Sequence, residues 1–326
     1  MRRSLTIVKL FFNLIGMILK INKLIQKILR SDFLLFLYSL FYEKSLYKSS
    51  LKIARKKTNS QNAWDDLVID ISEMLRRIHP RFFLATSVAR RAFSPVGHKK
   101  MPVNREYIMK DINIYSFYAL FLSKAFCFLD YPSAFAWCTS WGSIFNKAFN
   151  SYHIKENPPT TIIEFGSGLG IFPLILSYCF PKSDLILYDL PIMLEMQKRT
   201  HNYLASYSLP INRSKFQYID NLSELESSLY QSNNSKNNYF IAYWSFSETP
   251  LDLREKFVPI FKNCLTIMIV SNPQIFGIDN NLYFNKLAEE LNATHKYSQL
   301  LLPFQEEYIS NNGQMTNHRI HLFKKK

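Results

Sequence analysis

Glu164-Phe165-Gly166-Ser167-Gly168-Leu169-Gly170 joins one carboxylate to three closely spaced glycines. Glycine reaches left-handed backbone at little steric cost and lets main-chain amides come close to a bound molecule, so this stretch can hold a ligand by its backbone. The β-branched run Thr161-Ile162-Ile163 precedes it and the apolar Ile171 to Phe180 follows, which reads as strand, loop and helix. A second strand, Leu185 to Tyr188, ends on Asp189, nineteen positions beyond Gly170. An acid at that distance, at the tip of the second strand of a βαβ unit, is placed to accept hydrogen bonds from both hydroxyls of a ribose.

The glycine spacing narrows the choice of nucleoside. A dinucleotide fingerprint wants G-x-G-x-x-G, but its third glycine position falls here on Ile171, with Gly170 one residue early. Glu164 at the mouth of the loop would repel a pyrophosphate resting on the helix N-terminus and would attract an ammonium group. S-adenosylmethionine (SAM), a nucleoside carrying a methionyl ammonium, fits both features. A P-loop is excluded because no Gly-Lys-Ser/Thr follows the glycines.

Thr161 to Phe172 and the later Leu187-Tyr188-Asp189-Leu190-Pro191 resemble class I SAM-dependent methyltransferases, and Asp-Leu-Pro after the second strand is similar to small-molecule O-methyltransferases. Tyr243-Trp244-Ser245-Phe246-Ser247-Glu248-Thr249-Pro250 resembles the corresponding segment of bacterial sugar O-methyltransferases. The resemblance covers roughly the C-terminal half of the chain. It implies a Rossmann-like seven-stranded sheet, methyl transfer to a sugar hydroxyl in polysaccharide biosynthesis, and a helical N-terminal region that helps to build the acceptor site. It also implies that Asp220, closing a third strand at Lys215 to Ile219, faces the adenine amino group, with plain solvent exposure at the strand end as the other role that stays open. The expected cofactor residues are therefore Glu164, Gly166, Gly168, Gly170, Asp189 and Asp220.

Methyl transfer is an in-line displacement, so such an enzyme must align a hydroxyl, take its proton and exclude water. Glu248, just after a fourth strand at Tyr239 to Trp244, is the first candidate base, with Trp244 and Phe246 beside it to exclude water and raise its pKa. His318, near a final hairpin turning at Asn312-Gly313, is the second. Asn272 follows a fifth strand at Leu265 to Val270, on the sheet edge where ligands of open α/β folds collect. Two plainer roles stay open: Glu248 capping the next helix, and His318 exposed on its strand. Other acceptors, a phenol, lipid or amine, also stay open, as does a non-catalytic SAM-fold subunit. No Gly-x-Ser-x-Gly elbow supports a hydrolase, and no ligand cluster implies a metal.

The elements that position these groups divide into three expected regions: a basic helical arm and linker over 1–60, an aromatic-rich helical cap over 61–150, and the SAM-binding domain over 151–326. The chain has 326 residues, 48% of them hydrophobic, enough for a large core. Cys127, Cys138, Cys179 and Cys264 form no Cys-x-x-Cys pair, which argues against a disulfide framework and suits a reducing cytoplasm. Of the net charge of +15, +11 lies in the first sixty residues. There Lys9, Lys20, Lys23, Lys27 and Arg30 recur at helical intervals along one stripe, with Leu, Ile and Phe elsewhere. Such a helix either lies on the anionic inner face of a membrane or packs on this chain or a second subunit, as in a homo-oligomer. Its charge-free runs, Leu10 to Leu19 and Phe33 to Tyr42, fall short of the roughly 20 residues needed to span a bilayer. Nucleic acid is disfavoured, since aromatic stacking residues do not accompany the basic stripe. Further helices are expected from Trp64 to Ile78, Phe82 to Phe93 and Ile114 to Leu129. Aromatics from Tyr115 to Trp141 are candidates to line an acceptor pocket, with core packing as their ordinary role.

Overall fold

β-branched and aromatic residues dominate Thr161–Phe165 and Thr266–Ser271, and both runs are buried along their whole length, as strands covered on two faces must be. The computed structural model describes Cys138, Gly142, Ile144, Phe145, Lys147, Ala148, Phe149 and residues 156–326 apart from 169, 206–214, 232–236, 276 and 303–317. The basic arm, the helices expected before residue 130, the aromatics from Tyr115 to Trp141 and the turn at Asn312-Gly313 lie outside the described residues.

In chain order the elements are β1 (Thr161–Phe165), α1 (Ile171–Cys179), β2 (Asp184–Tyr188), α2 (Pro191–Ala205), β3 (Phe216–Ile219), α3 (Leu222–Gln231) and β4 (Asn238–Tyr243). A 3-10 turn (Ser245–Glu248) leads to α4 (Leu251–Glu255), α5 (Val258–Lys262) and β5. Strand β5 spans Thr266–Ser271 and is followed by a small ribbon, β6 (Gln274–Ile275) and β7 (Ile278–Asp279), then α6 (Asn280–Leu291), β8 (His295–Leu301) and β9 (Arg319–Lys325). Seven strands form one sheet in the order β3-β2-β1-β4-β5-β9-β8. The first five are parallel, and β9 runs antiparallel between β5 and β8. This is the expected Rossmann-like seven-stranded sheet.

Helices fill three connections of the second half. Helix α3 opens with Asn221, whose Oδ1 accepts from the Glu224 amide (2.8 Å) while its side-chain amide donates to Glu224 Oε2 (2.9 Å), a reciprocal cap. Helices α4 and α5 fill the β4–β5 crossover, and Asp279 caps α6 by accepting from the Leu282 amide at 3.0 Å. Parallel strands need such crossovers, so the helices follow from the sheet order.

The strands alternate sides. Ile163, Phe165, Phe240, Ala242, Ile267 and Ile269 face a core shared with Phe257, Phe261, Phe284 and Leu287. Within it Phe165, Phe240, Phe246, Phe257 and Phe261 meet largely edge to face, as ring quadrupoles favour. The other face carries Tyr239, stacked on Phe149 at 5.1 Å, and Tyr243, edge-on to Phe172 of α1 at 5.0 Å. Glu164 pairs in register with Leu187 and Ile241, which puts it on this second face.

Candidate functional site

The strand order reverses between β1 and β4, and open α/β sheets bind ligands at the carboxyl edge of such a switch. The glycine loop leaves β1 at that edge. Gly166, Gly168 and Gly170 have φ of 68°, 58° and 72°, the left-handed region that costs other residues roughly 1–2 kcal/mol each. At two of them space is also forbidden to a side chain: a Cβ on Gly166 would fall inside the Ser245 side chain, and one on Gly170 would lie 2.6 Å from His201 Nε2.

Glu164 is only 3% exposed, and its Oε2 has no hydrogen-bond partner; the buried Ser167 hydroxyl in the same loop has none either. Burial holds the Glu164 carboxyl well above the ordinary range, and the charge of Asp189 adds to this. Asp189, half-buried at the tip of β2, is pushed up to about 7 by burial, against the pull of hydrogen bonds from the Leu190, Gln197 and Gly168 amides. The Leu190 amide donates to its Oδ1 at 2.8 Å and the Gln197 side chain to its Oδ2 at 2.9 Å. Two acids whose charged forms are poorly met by the protein favour a partner that brings positive charge or hydroxyl donors. Asp220 stands exposed at the tip of β3, within 3.5 Å of the Asn221 side-chain amide.

Helix α2 braces this loop. Gln197 and His201, one turn apart on one face, are both buried. Gln197 Nε2 also donates to the Gly168 carbonyl (3.1 Å), while His201 Nε2 meets the Gly170 carbonyl (2.7 Å) and Nδ1 the Tyr218 hydroxyl (2.7 Å). A carbonyl only accepts, so His201 carries its hydrogen on Nε2 and accepts from Tyr218 on Nδ1. Sequence reading missed both residues, because polar side chains at interior positions of a helix leave no local pattern.

The tip of β4 adjoins the loop through Ser245, whose hydroxyl donates to the Phe165 carbonyl at 2.6 Å. Trp244 opens the turn at φ 61° and ψ −40°, a conformation that non-glycine residues hold at a cost of order 1–3 kcal/mol. Its amide donates to Val270 (2.9 Å) and its indole N–H to His318 Nδ1 (2.9 Å). Burial lowers the His318 pKa and the Arg319 charge lowers it further, so the ring is neutral, with Nδ1 accepting and Nε2 carrying the hydrogen. His318 thus offers an N–H where a base needs a lone pair, and its place is that of an anchor for Trp244. Strand pairing brings them together, since β9 begins opposite Ser271 at the end of β5.

Glu248 ends the 3-10 turn, and Asn272 Nδ2 points to its Oε1 at 3.5 Å. Glu248 does not cap α4, whose N-cap residue is Pro250 and which has no side-chain cap. Phe246 is fully buried among Phe165, Phe257 and Phe261, so it is a core side chain with no surface to offer an acceptor. Trp244, Glu248 and Asn272 do gather on one edge.

Beneath them lies Arg254, fully buried. It donates to the carbonyls of Thr249 (2.8 Å) and Ser247 (2.6 Å) and to Asn280 Oδ1 (2.7 Å), and its guanidinium covers the Tyr283 ring at 5.0 Å. Asn280 in turn donates to the Asn272 carbonyl at 2.8 Å. Next to this network His321, also fully buried, bonds Ser271 Oγ (2.8 Å) and the Tyr297 hydroxyl (2.9 Å), with its pKa pushed down to about 3 by burial and then by Arg319. Among the described residues no group of His, Cys, Asp and Glu side chains is arranged to hold a metal, and no helix is long and apolar enough to cross a membrane.

No known protein family matches the chain, and no curated protein does. Solved structures similar to it include the methyltransferase domain of bacterial CtHen1, 12% identical over 52% of this chain and 93% of that one, with a TM-score of 0.36. A SAM-dependent methyltransferase from Aquifex aeolicus is 12% identical over 55% of this chain and 91% of that one, TM-score 0.34. TrmK of M. capricolum in complex with S-adenosylhomocysteine is 10% identical over 55% and 70%, TM-score 0.33. At such values the likeness carries no weight of its own; the strand order establishes the Rossmann-like fold, and the glycine loop with its two acids marks the candidate site.

Proposed function

We propose that this chain is a SAM-dependent O-methyltransferase whose acceptor is a hydroxyl of a sugar or glycan. The cofactor half of the reading is carried by the partnerless buried oxygen of Glu164, set at the mouth of a loop of three left-handed glycines with Asp189 beside it. These residues fit SAM. Glu164 would meet the methionyl ammonium, Gly166 and Gly168 would let the backbone approach the methionyl part, and Asp189 would accept from the ribose hydroxyls. Asp220 would lie toward the adenine. The bound cofactor supplies an electrophilic methyl group.

The chain's own work is then to align and deprotonate the acceptor. Glu248 takes the hydroxyl proton, Asn272 orients its carboxylate, and Trp244, held by His318, keeps water from that edge. The sugar acceptor rests on the likeness of Tyr243 to Pro250 to sugar O-methyltransferases.

Calorimetry tests the cofactor. Wild type should bind SAM and not NAD, and Asp189→Ala should weaken SAM by roughly 1.5–3 kcal/mol, the worth of hydrogen bonds to a charged group. Unchanged SAM affinity in a folded Asp189→Ala protein, or NAD binding tighter than SAM, overturns the reading.

A further inference from the structure

We propose that Gln197 is a positioning residue for the cofactor: its carboxamide ties the Gly168 turn to the Asp189 carboxylate, so that loop and acid meet the ribose as one preset unit. The inference rests on the reading of this site as a SAM site. Both hydrogens of Gln197 Nε2 are committed, one to the Gly168 carbonyl at 3.1 Å and one to Asp189 Oδ2 at 2.9 Å. The amide has one workable orientation, because a flip would set its oxygen against two other acceptors. With Gln197 fully buried, water cannot replace either bond. Its own Oε1 is buried without a partner, a cost the protein bears in order to keep the donor end in place. Cγ and Cβ of the same side chain also lie within 3.1 and 3.3 Å of where a Cβ on Gly170 would be, so the residue touches three points of the ligand cradle.

The role goes beyond packing because it bears on protonation. The carboxylate of Asp189 accepts from the ribose hydroxyls more strongly than the neutral acid, so ligand affinity should rise as pH passes through about 7. The Gln197 bond favours the carboxylate, so losing it moves that rise to higher pH. The titratable groups around the loop and its acids are Glu164 on β1, which couples to Asp189, Tyr188 on β2, Asp220 after β3, which couples to Tyr188, and His201 on α2, which meets the Gly170 carbonyl. All four stay in place when Gln197 alone is changed, so the difference between two pH profiles reports Gln197.

The test is calorimetric titration of the full chain with S-adenosylhomocysteine from about pH 6 to about pH 9, for wild type and for Gln197→Met, which keeps length and removes both donors. Gln197→Met should bind about tenfold more weakly near pH 7, with its affinity midpoint about one pH unit higher and much of the loss recovered at the alkaline end. A loss of equal size at every pH would mean a packing role and overturn the proposal, as would an unchanged profile. Gln197→Glu is the second variant: its carboxylate repels Asp189 once ionised, so its affinity should fall with rising pH, and a profile parallel to wild type also overturns the proposal. Wild type that binds no S-adenosylhomocysteine removes the cofactor reading itself, and this inference with it.

Discussion

The tips of β1 and β2 and the tips of β4 and β5 share one edge of one sheet, yet they are built by opposite means. The first pair is local: the five-residue loop between Phe165 and Ile171 takes its shape from three left-handed glycines, and the acids beside it are left partly unmet. The second is long-range. Its strained Trp244 is held by a histidine 74 positions away, and its turn rests on a buried cation bonded to carbonyls and an asparagine. The two sides also respond to acid in opposite senses. On the first, Asp189 and Glu164 have folded pKa values above their unfolded ones, so they oppose folding as pH rises and the opposition fades in acid. On the second, His318 and His321 are depressed, so their contribution is whole above about pH 6.5 and is lost as pH falls. A site left unmet waits for a ligand, whereas a fully bonded one holds its geometry without it.

The comparison breaks most visibly at Arg254. Arg254→Ala should destabilise the fold by about 3–5 kcal/mol in denaturant unfolding, since it opens a cavity and strands two carbonyls and Asn280. SAM affinity should change little in the protein that remains folded. A matching loss of SAM binding would mean that the two sides are one unit.

Acid separates them next. Between about pH 6.5 and 3 the wild-type unfolding free energy should carry a His321 term of up to about 1.4 kcal/mol per pH unit, falling with pH, against the opposing terms of Asp189 and Glu164. Urea unfolding at a series of pH values should show a flatter acid limb for His321→Gln. Identical limbs would remove His321 from the response.

The smallest effect on the fold is at Glu248. Glu248→Gln is nearly isosteric and should leave SAM affinity and stability near wild type while lowering methyl transfer about 100-fold, measured by single turnover on a sugar panel. Retained turnover would take Glu248 out of the mechanism.

What could be read from sequence follows the same division. The loop was legible because left-handed backbone almost dictates glycine, and Asp189 because a strand, helix and strand of ordinary length fix its distance. The five parallel strands announced themselves as short apolar runs. In helix α5 Pro259 sits in the first turn, where its missing N–H is no loss. Phe246 reads as a water-excluding neighbour of Glu248 because it is close in sequence; the 3-10 turn sends it into the core instead. Gln197, His201, Arg254 and Asn280 carry no spacing rule, since their partners, some five to eight positions away and others about thirty, are set by how turns and helices fold rather than by a fixed motif.

Gly166 and Ser245 press on each other so closely that a Cβ on Gly166 would overlap the Ser245 side chain, which is itself tied to the Phe165 carbonyl. Their tolerances to mutation are therefore not separate quantities. A larger residue at 245 is not rescued by glycine at 166, which is already the smallest, and a smaller one at 245 relieves only the clash at 166, leaving its positive φ. This is one-sided epistasis between positions 79 apart, and a library that varies either site alone would misjudge the other.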